Sequence, residues 1–138
     1  MKRKRFELIE HTADIGLVAY GESLPEAFAN AAYGMFSIIA ELDSVREKES
    51  RRVAIEEDDR ESLLFEWLNN LLYLFDVETL IFKRFDIIYL DTRRLTAVCY
   101  GEKYDSSRHQ LKLGVKSATY HQLKVDAEKN QVRVIFDV

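Results

Sequence analysis

Two aspartates and the last residue of the chain could bring carboxylates together. Asp137 is the second-to-last residue, so its side chain lies close to the α-carboxylate of Val138. Asp14 lies in the first polar turn and joins them if the first and last strands are neighbours. At about 4 Å and an effective dielectric near 20, each carboxylate pair repels by roughly 4 kcal/mol. A hard cation (Ca²⁺, Mg²⁺ or Mn²⁺), a lysine such as Lys116 or a raised pKa would neutralise the cluster. The alternative is a frayed C-terminus with Asp137 in water.

Three histidines and one cysteine are the other candidates for chemistry. His11 and His121 are each suited to act as a general base, a metal ligand or a hydrogen-bonded structural residue. The sequence pattern predicts that His109 lies in a loop. Cys99 lies in an alternating segment, which predicts a small buried side chain rather than a nucleophile. The acidic run 56–59 is predicted to cap a helix and stay solvated, with a cation site as the alternative.

Two segments have the end signals and the periodicity of helices. Residues 23–26 form a capping box with proline in the first turn, which predicts a helix over 24–41. Asp58 or Asp59 can cap a second helix over 60–75. Apolar residues recur at helical spacing and predict one buried face on each helix. They are Ala27, Phe28, Ala31, Ala32, Met35, Phe36 and Ile39 in the first, and Leu63, Leu64, Trp67, Leu68, Leu71, Leu72 and Phe75 in the second.

The remaining apolar segments predict eight strands, separated by short polar turns. In the last hairpin, the pattern places Leu123, Val125 and Ala127 inward, opposite Val132, Val134 and Phe136. Helices and strands in this order predict an α+β fold: one domain over 1–138 with a largely antiparallel or mixed β-sheet packed with two α-helices. The predicted strands are 6–10, 15–20, 45–57, 82–90, 95–104, 111–119, 121–127 and 131–138.

The composition is typical of a globular domain in a reducing compartment. The chain has 138 residues, of which 47% are hydrophobic, and it contains one proline. A single cysteine excludes both an internal disulfide and a cysteine-based zinc cage, so we expect a cytoplasmic protein. No run approaches 18 apolar residues, and acidic residues interrupt the segment after the basic start, so neither a membrane span nor a signal peptide is expected.

The net charge of −4 is unevenly distributed. Four of the 20 basic residues stand at positions 2–5, so the rest of the chain has 16 basic against 24 acidic residues, a net charge of −8. Because phosphate neutralisation dominates nucleic-acid affinity, this acidic body is a poor candidate for holding RNA by itself. We expect the basic tail 1–5 to be a solvated terminus, the alternative being an arm that contacts RNA.

The common catalytic motifs do not occur in this chain. It contains no G-x-G-x-x-G, Walker loop, G-x-S-x-G or H-E-x-x-H, so no motif supports a nucleotide-binding fold, a hydrolase elbow or a zincin.

Three short motifs, in order along the whole chain, together resemble the archease family. They are Glu10-His11-Thr12-Ala13-Asp14-Ile15-Gly16, Lys116-Ser117-Ala118-Thr119-Tyr120-His121-Gln122-Leu123 and Val134-Ile135-Phe136-Asp137-Val138. Ser117 stands where alanine is common in the family, a change that we expect to be harmless.

The resemblance implies an accessory protein, not an enzyme. Archeases assist the RtcB-type RNA ligase in tRNA splicing: they promote the metal-dependent guanylylation of the ligase and sustain multiple turnover. The resemblance also implies a divalent cation at the C-terminal end, calcium before manganese or magnesium, held by Asp14, Asp137 and the Val138 carboxylate. Lys116 is implied as a functional residue nearby, while His11 and His121 are motif residues without an assigned role.

Two other functions remain alternatives. A chaperone or modulator of RNA-modifying enzymes would suppress aggregation of its clients and be indifferent to Asp137. A metal-dependent phosphohydrolase would turn over small phosphate substrates unaided, although few bases and no positioned nucleophile support it. In the accessory role, tRNA is reached only through the ligase, and no membrane is involved.

Overall fold

The computed structural model describes residues 3–10 and 13–138, and of Glu10 it describes the backbone alone. The predicted role of His11 therefore lies outside the described residues. Within them, the chain forms two helices and seven strands. The elements are β1 (Phe6–Glu10), β2 (Asp14–Tyr20), α1 (Leu24–Ile39), β3 (Glu49–Glu56), α2 (Arg60–Glu78), β4 (Leu80–Leu90), β5 (Arg94–Lys103), β6 (Ser117–Asp126) and β7 (Gln131–Asp137).

The strands form two antiparallel sheets with the helices between them. One sheet has the order β1-β2-β7-β6 and the other β3-β5-β4. Each helix contacts strands of both sheets. The predicted α+β class with a largely antiparallel arrangement is confirmed, but the strands divide between two sheets instead of forming one.

Helix α1 is buried on more than the single predicted face. Besides the predicted stripe, it buries Asn30, Gly34 and Ile38. A Cβ on Gly34 would lie 2.5 Å from Cδ1 of Leu17 on β2, so a larger residue at this position would require the Leu17 side chain to move. A helix covered on two sides needs more than one apolar stripe, which explains the additional buried residues.

Both predicted helix starts are confirmed. The Ser23 hydroxyl accepts from the Glu26 N–H at 3.3 Å, and Asp59 Oδ1 accepts from the Ser62 N–H at 2.8 Å. Helix α1 ends before the predicted residue 41, because Ala40 is extended and pairs with Leu111 in an isolated bridge. Helix α2 continues past the predicted residue 75 to Glu78. Neither helix is long and apolar enough to cross a membrane.

The core is one cluster of aliphatic and aromatic side chains around both helices. Phe36 on α1 packs edge-on against Phe82, at 5.8 Å between ring centroids, and stacks on Phe85 at 5.9 Å. Trp67 on α2 is fully buried and donates its indole N–H to the Phe28 carbonyl at 3.0 Å, which ties the two helices together. All predicted helix core residues are buried except Phe75, which is half-buried.

Three strand predictions are wrong in extent. Residues 45–48 and 111–116 form no regular strand, and residues 117–126 form the single strand β6 where two strands were predicted. A bulge interrupts β6, because Thr119 pairs with Ile135 whereas Lys124 pairs with Arg133. In the last hairpin, Val125 pairs with Val132. However, Ala127 is exposed, and Leu123 and Val125 are only half-buried.

His109 lies in a loop, as predicted, but its side chain is fully buried. Its Nδ1 accepts from the Asp105 N–H at 2.9 Å, so Nε2 carries the proton and donates to Glu102, also at 2.9 Å. Both ring nitrogens are occupied, and His109 is therefore a structural residue that fixes the loop 104–109 against β5.

Glu102 is a buried carboxylate with three donors. Desolvation raises its pKa, but hydrogen bonds from the Arg46 N–H, the His109 ring and the Arg108 guanidinium outweigh this and lower the pKa to about 2. The pKa of Glu102 in the folded protein lies below its ordinary value near 4.5. The ionised carboxylate therefore stabilises the fold fully above about pH 4.5, and this contribution is lost as the pH falls toward 2.

We predict that Glu102→Gln destabilises the protein by about 2 kcal/mol near pH 7, because it replaces charge-assisted hydrogen bonds with neutral ones. Urea denaturation would measure the change. The difference between wild type and variant should shrink as the pH falls from about 4.5 toward 2, because the wild-type carboxyl group then becomes protonated.

The matched control is Glu128→Gln, since Glu128 is exposed in the turn before β7. It should leave the free energy of unfolding within about 0.5 kcal/mol of wild type. A Glu102→Gln variant as stable as the control would contradict the role of this carboxylate.

Candidate cation site

Asp14 and Asp137 are directly opposite each other on neighbouring strands. Strands β2 and β7 pair over seven residues, and Asp14 faces Asp137 at the end of this ladder. Asp14 is thus the first residue of β2, not a turn residue as predicted. Side chains opposite each other in an antiparallel pair project to the same face of the sheet, with Cβ atoms about 5 Å apart. The strand register therefore brings together the two carboxylates that the sequence analysis singled out.

Ser117 extends this pair into a row of three oxygen-bearing side chains. It is the first residue of β6 and pairs with Asp137 from the other side. Its hydroxyl lies 3.5 Å from Asp137 Oδ2, a long contact. In the sequence, Ser117 differs from neighbouring residues only as a departure from the family pattern, because its place beside Asp137 depends on the β6–β7 register.

The Asp14 carboxylate is poorly satisfied by the protein. The side chain is half-buried, and its Oδ1 is a buried oxygen that has no hydrogen-bond partner among the described residues. Neither Asp14 nor Asp137 forms an ion pair with a cationic side chain in the described ranges 3–10 and 13–138. Burying a carboxylate oxygen without a partner is costly, so this oxygen is suited to a cation or a water molecule.

The end of the chain is held against the core. Asp137 is paired through its backbone on both sides, and the Lys116 N–H donates to its carbonyl at 2.8 Å. The Val138 side chain is half-buried and packs against the core. The alternative of a frayed strand end is therefore wrong, although the Asp137 side chain itself is exposed.

The donor set at this sheet end consists of oxygens. In the described part of the chain, no three or more His, Cys, Asp or Glu side chains are placed to hold a metal ion together. The side chains available as ligands are those of the two aspartates and of Ser117, and the predicted third carboxylate, that of Val138, would follow Asp137 directly in the chain. Such oxygen ligands fit a hard cation such as Ca²⁺, which commonly completes its shell with water.

The other candidate residues from the sequence, Lys116, His121 and Cys99, differ in their position and in their exposure to solvent. Lys116 precedes β6, its side chain is exposed, and its backbone N–H donates to the Asp137 carbonyl. His121 is exposed in the β6 bulge. Cys99 is fully buried, and burial raises the pKa of its thiol to about 12, so the prediction of an inert hydrophobe is confirmed.

The chain is similar over nearly its whole length to a known family. Residues 6–138 match the model of the Archease protein family (MTH1598/TM1083). A protein archease of Sulfurisphaera tokodaii is 39% identical over 137 residues, which cover 98% of each chain. Another, from Pyrococcus abyssi, is 44% identical over 126 residues, which cover 89% of each.

Two solved structures share the fold. Methanobacterium thermoautotrophicum protein 1598 has 35% identity and a TM-score of 0.80, with 97% of this chain and 99% of that one covered. A Thermotoga maritima protein, described as an archease and possible chaperone, has a TM-score of 0.59. It covers all of this chain and 98% of its own, but at 19% identity it bears on the fold alone.

We predict that, without divalent cations, Asp137→Asn stabilises the protein by up to about 1 kcal/mol, because like charges directly opposite each other in a sheet repel. Exposure of Asp137 to water keeps this effect well below the repulsion expected for a buried pair. Urea denaturation in a chelating buffer would measure it, with Asp58→Asn, an exposed aspartate, as the control. A clear loss of stability in Asp137→Asn would show that the two carboxylates do not repel.

Proposed function

The chain belongs to the archease family, and we propose that it acts as an accessory protein of an RtcB-type tRNA-splicing RNA ligase. In this role it promotes the metal-dependent guanylylation of the ligase and its multiple turnover. It performs no turnover alone, and it reaches tRNA only through the ligase. The observation that carries the proposal is the carboxylate pair at the end of β2 and β7, in which a buried oxygen of Asp14 has no partner in the part of the chain that the structure describes.

The proposed ligands are Asp14, Asp137 and the α-carboxylate of Val138, with calcium as the expected cation. The ladder between β2 and β7 supports this set, because it sets the two aspartates opposite each other, and Val138 packs against the core. Ligands carried on a backbone that is already ordered need little further ordering on binding. When bound, a divalent cation offsets negative charge on phosphoryl groups during transfer.

The exposure of this sheet end supports a docking role. The side chains of Asp137 and Lys116 are both exposed, and Val138 is half-buried. Such a surface can be presented to a cleft in a partner protein, where the carboxylates hold the cation and Lys116 supplies a positive charge for a phosphate oxygen. The acidic body disfavours direct capture of RNA, so a protein partner is the more suitable one.

We predict that calcium raises the melting temperature of the wild-type protein by several degrees, since a ligand at about 100 times its Kd adds about 2.7 kcal/mol of stability. Asp14→Asn should lose most of this shift, and Asp58→Asn should keep it. The measurement is a thermal melt with increasing calcium, repeated with manganese and magnesium. A wild-type melting temperature that none of the three cations changes would remove the physical basis of the site.

We predict that the wild-type protein stimulates guanylylation of the ligase, followed as transfer of labelled GMP to the ligase, and that Asp14→Ala and Asp137→Ala reduce the stimulation at least tenfold. Loss of a residue that only supports a metal ligand already costs about 10–100-fold in metal affinity or activity, so loss of a ligand itself should cost at least as much. The Asp58→Ala control should stimulate as wild type does.

Other outcomes of this assay would favour the alternative functions. Equal stimulation by wild type, Asp14→Ala and Asp137→Ala would show that the proposed site is not used. Turnover of small phosphate esters by the protein alone would favour the phosphohydrolase. Suppression of client aggregation that is independent of Asp137, with no effect on the ligase, would favour a chaperone.

A further inference from the structure

A cleft with several cationic side chains lies on another part of the molecule. It has a volume of about 490 Å³, in the range of small-ligand sites. Its walls are the N-terminal arm (residues 3–5), the loop between β2 and α1, the first half of α1, and β4. Arg3, Arg5, Lys83 and Arg84 line it, together with Glu22 and Glu26.

The described part of the basic tail is exposed, as the sequence predicted, but two of its side chains are also held against the body by specific contacts. Arg3 donates from Nη1 to the carbonyls of Gly21 and Lys129, at 2.9 and 2.8 Å. The guanidinium of Arg5 lies over the Tyr33 ring, with Cζ 3.6 Å from the ring centroid. Lys4 makes no such contact with the body and forms an ion pair with the nearby Glu7.

A buried amide orients Arg5. Asn30 is 6% exposed, donates to the Tyr20 carbonyl at 2.7 Å, and accepts from Arg5 Nε at 3.0 Å. With Nε engaged and one face on Tyr33, both terminal nitrogens of Arg5 stay without an acceptor in the described chain. The packing thus fixes the guanidinium while leaving its paired donors available.

Three of the four cations lack a carboxylate partner. Arg84 is paired with Glu47 and Asp86, but Arg3, Arg5 and Lys83 form no ion pair among residues 3–10 and 13–138. This is notable in a chain with more acidic than basic residues. Positioned guanidinium donors beside an unpaired ammonium are the usual means of binding a phosphate group.

We propose that this cleft binds a phosphate ester. The oxyanion lies between Arg5 and Lys83, and Arg3 adds positive charge. Glu22 and Glu26 disfavour a ligand that is anionic throughout, and they can accept hydrogen bonds from hydroxyl groups. The ligand must therefore carry a phosphate for the cationic side chains and hydroxyl groups for the two carboxylates. A phosphorylated sugar has both, either as a free nucleotide or at the 5′ end of an RNA strand.

The test is a titration of ¹⁵N-labelled protein at constant ionic strength, followed by NMR. The probes are ribose 5-phosphate, AMP, and a short RNA with either a 5′-phosphate or a 5′-hydroxyl. We expect shifts at the Lys83 and Phe85 amides and at the Arg5 side-chain N–H, at millimolar concentrations or below. If AMP binds as tightly as phosphorylated RNA, the natural ligand is a free nucleotide, whereas tighter binding of the RNA favours the strand end.

Lys83→Gln should weaken binding of the phosphorylated probes about tenfold, the usual size for losing one charge-assisted hydrogen bond. Lys83 is half-buried at the β4 bulge and has no side-chain hydrogen bond within the described residues, so we expect the variant to fold. The matched control, Lys124→Gln, removes an exposed lysine from β6 and should bind as wild type does.

The proposal is overturned if no phosphorylated probe shifts these signals at a concentration of about 10 mM. The Kd would then lie above about 10 mM, which is too weak for a functional site. It is also overturned if 5′-hydroxyl RNA binds as tightly as 5′-phosphate RNA, or if Lys83→Gln has no effect. The titration uses neither the ligase nor a divalent cation, so a negative result leaves the function proposed above untouched. Tight binding of phosphorylated RNA would contradict only the part of that function in which tRNA is reached solely through the ligase.

Discussion

The pairing of β2 with β7 is the interaction on which the rest of the structure depends. These two central strands of the larger sheet pair over seven residues, from Asp14 and Asp137 to Tyr20 and Gln131. In β7, alternate residues such as Val134 project into the core against the helices. A slip of one residue would turn these core positions outward, so the hydrophobic pattern fixes the register. That register in turn places the two aspartates opposite each other.

Strand β2 also connects the two candidate sites. Its first residue, Asp14, belongs to the carboxylate pair, whereas the carbonyl of its last residue, Tyr20, holds the amide that orients Arg5. A strand of seven residues is roughly 20 Å long, about twice the screening length at physiological salt. The negative and the positive site are therefore far enough apart for each to act on its own ligand.

The helices were the most predictable part of this fold. Ser23 and Asp59 cap them where the local sequence predicts, because a cap depends on residues within one turn. Their ends were less predictable: α1 stops at Ile39 because Ala40 pairs with Leu111, which is distant in the sequence. Burial of α1 on two sides depends likewise on the second sheet, which no local pattern indicates.

The sequence by itself determined the fold class, the helix starts, the core faces of the helices and the two aspartates of the carboxylate pair. These follow from periodicity, from capping and from motifs whose residues are close together in the chain. Only the tertiary structure decided that Ser117 lies beside Asp137, that His109 is buried on Glu102, and that Arg5 is fixed in a cleft. Each of these depends on contacts between elements that are distant in the sequence. The physical reason is that the strand register, the division of the strands into two sheets and the removal of polar side chains from water arise only when the chain packs.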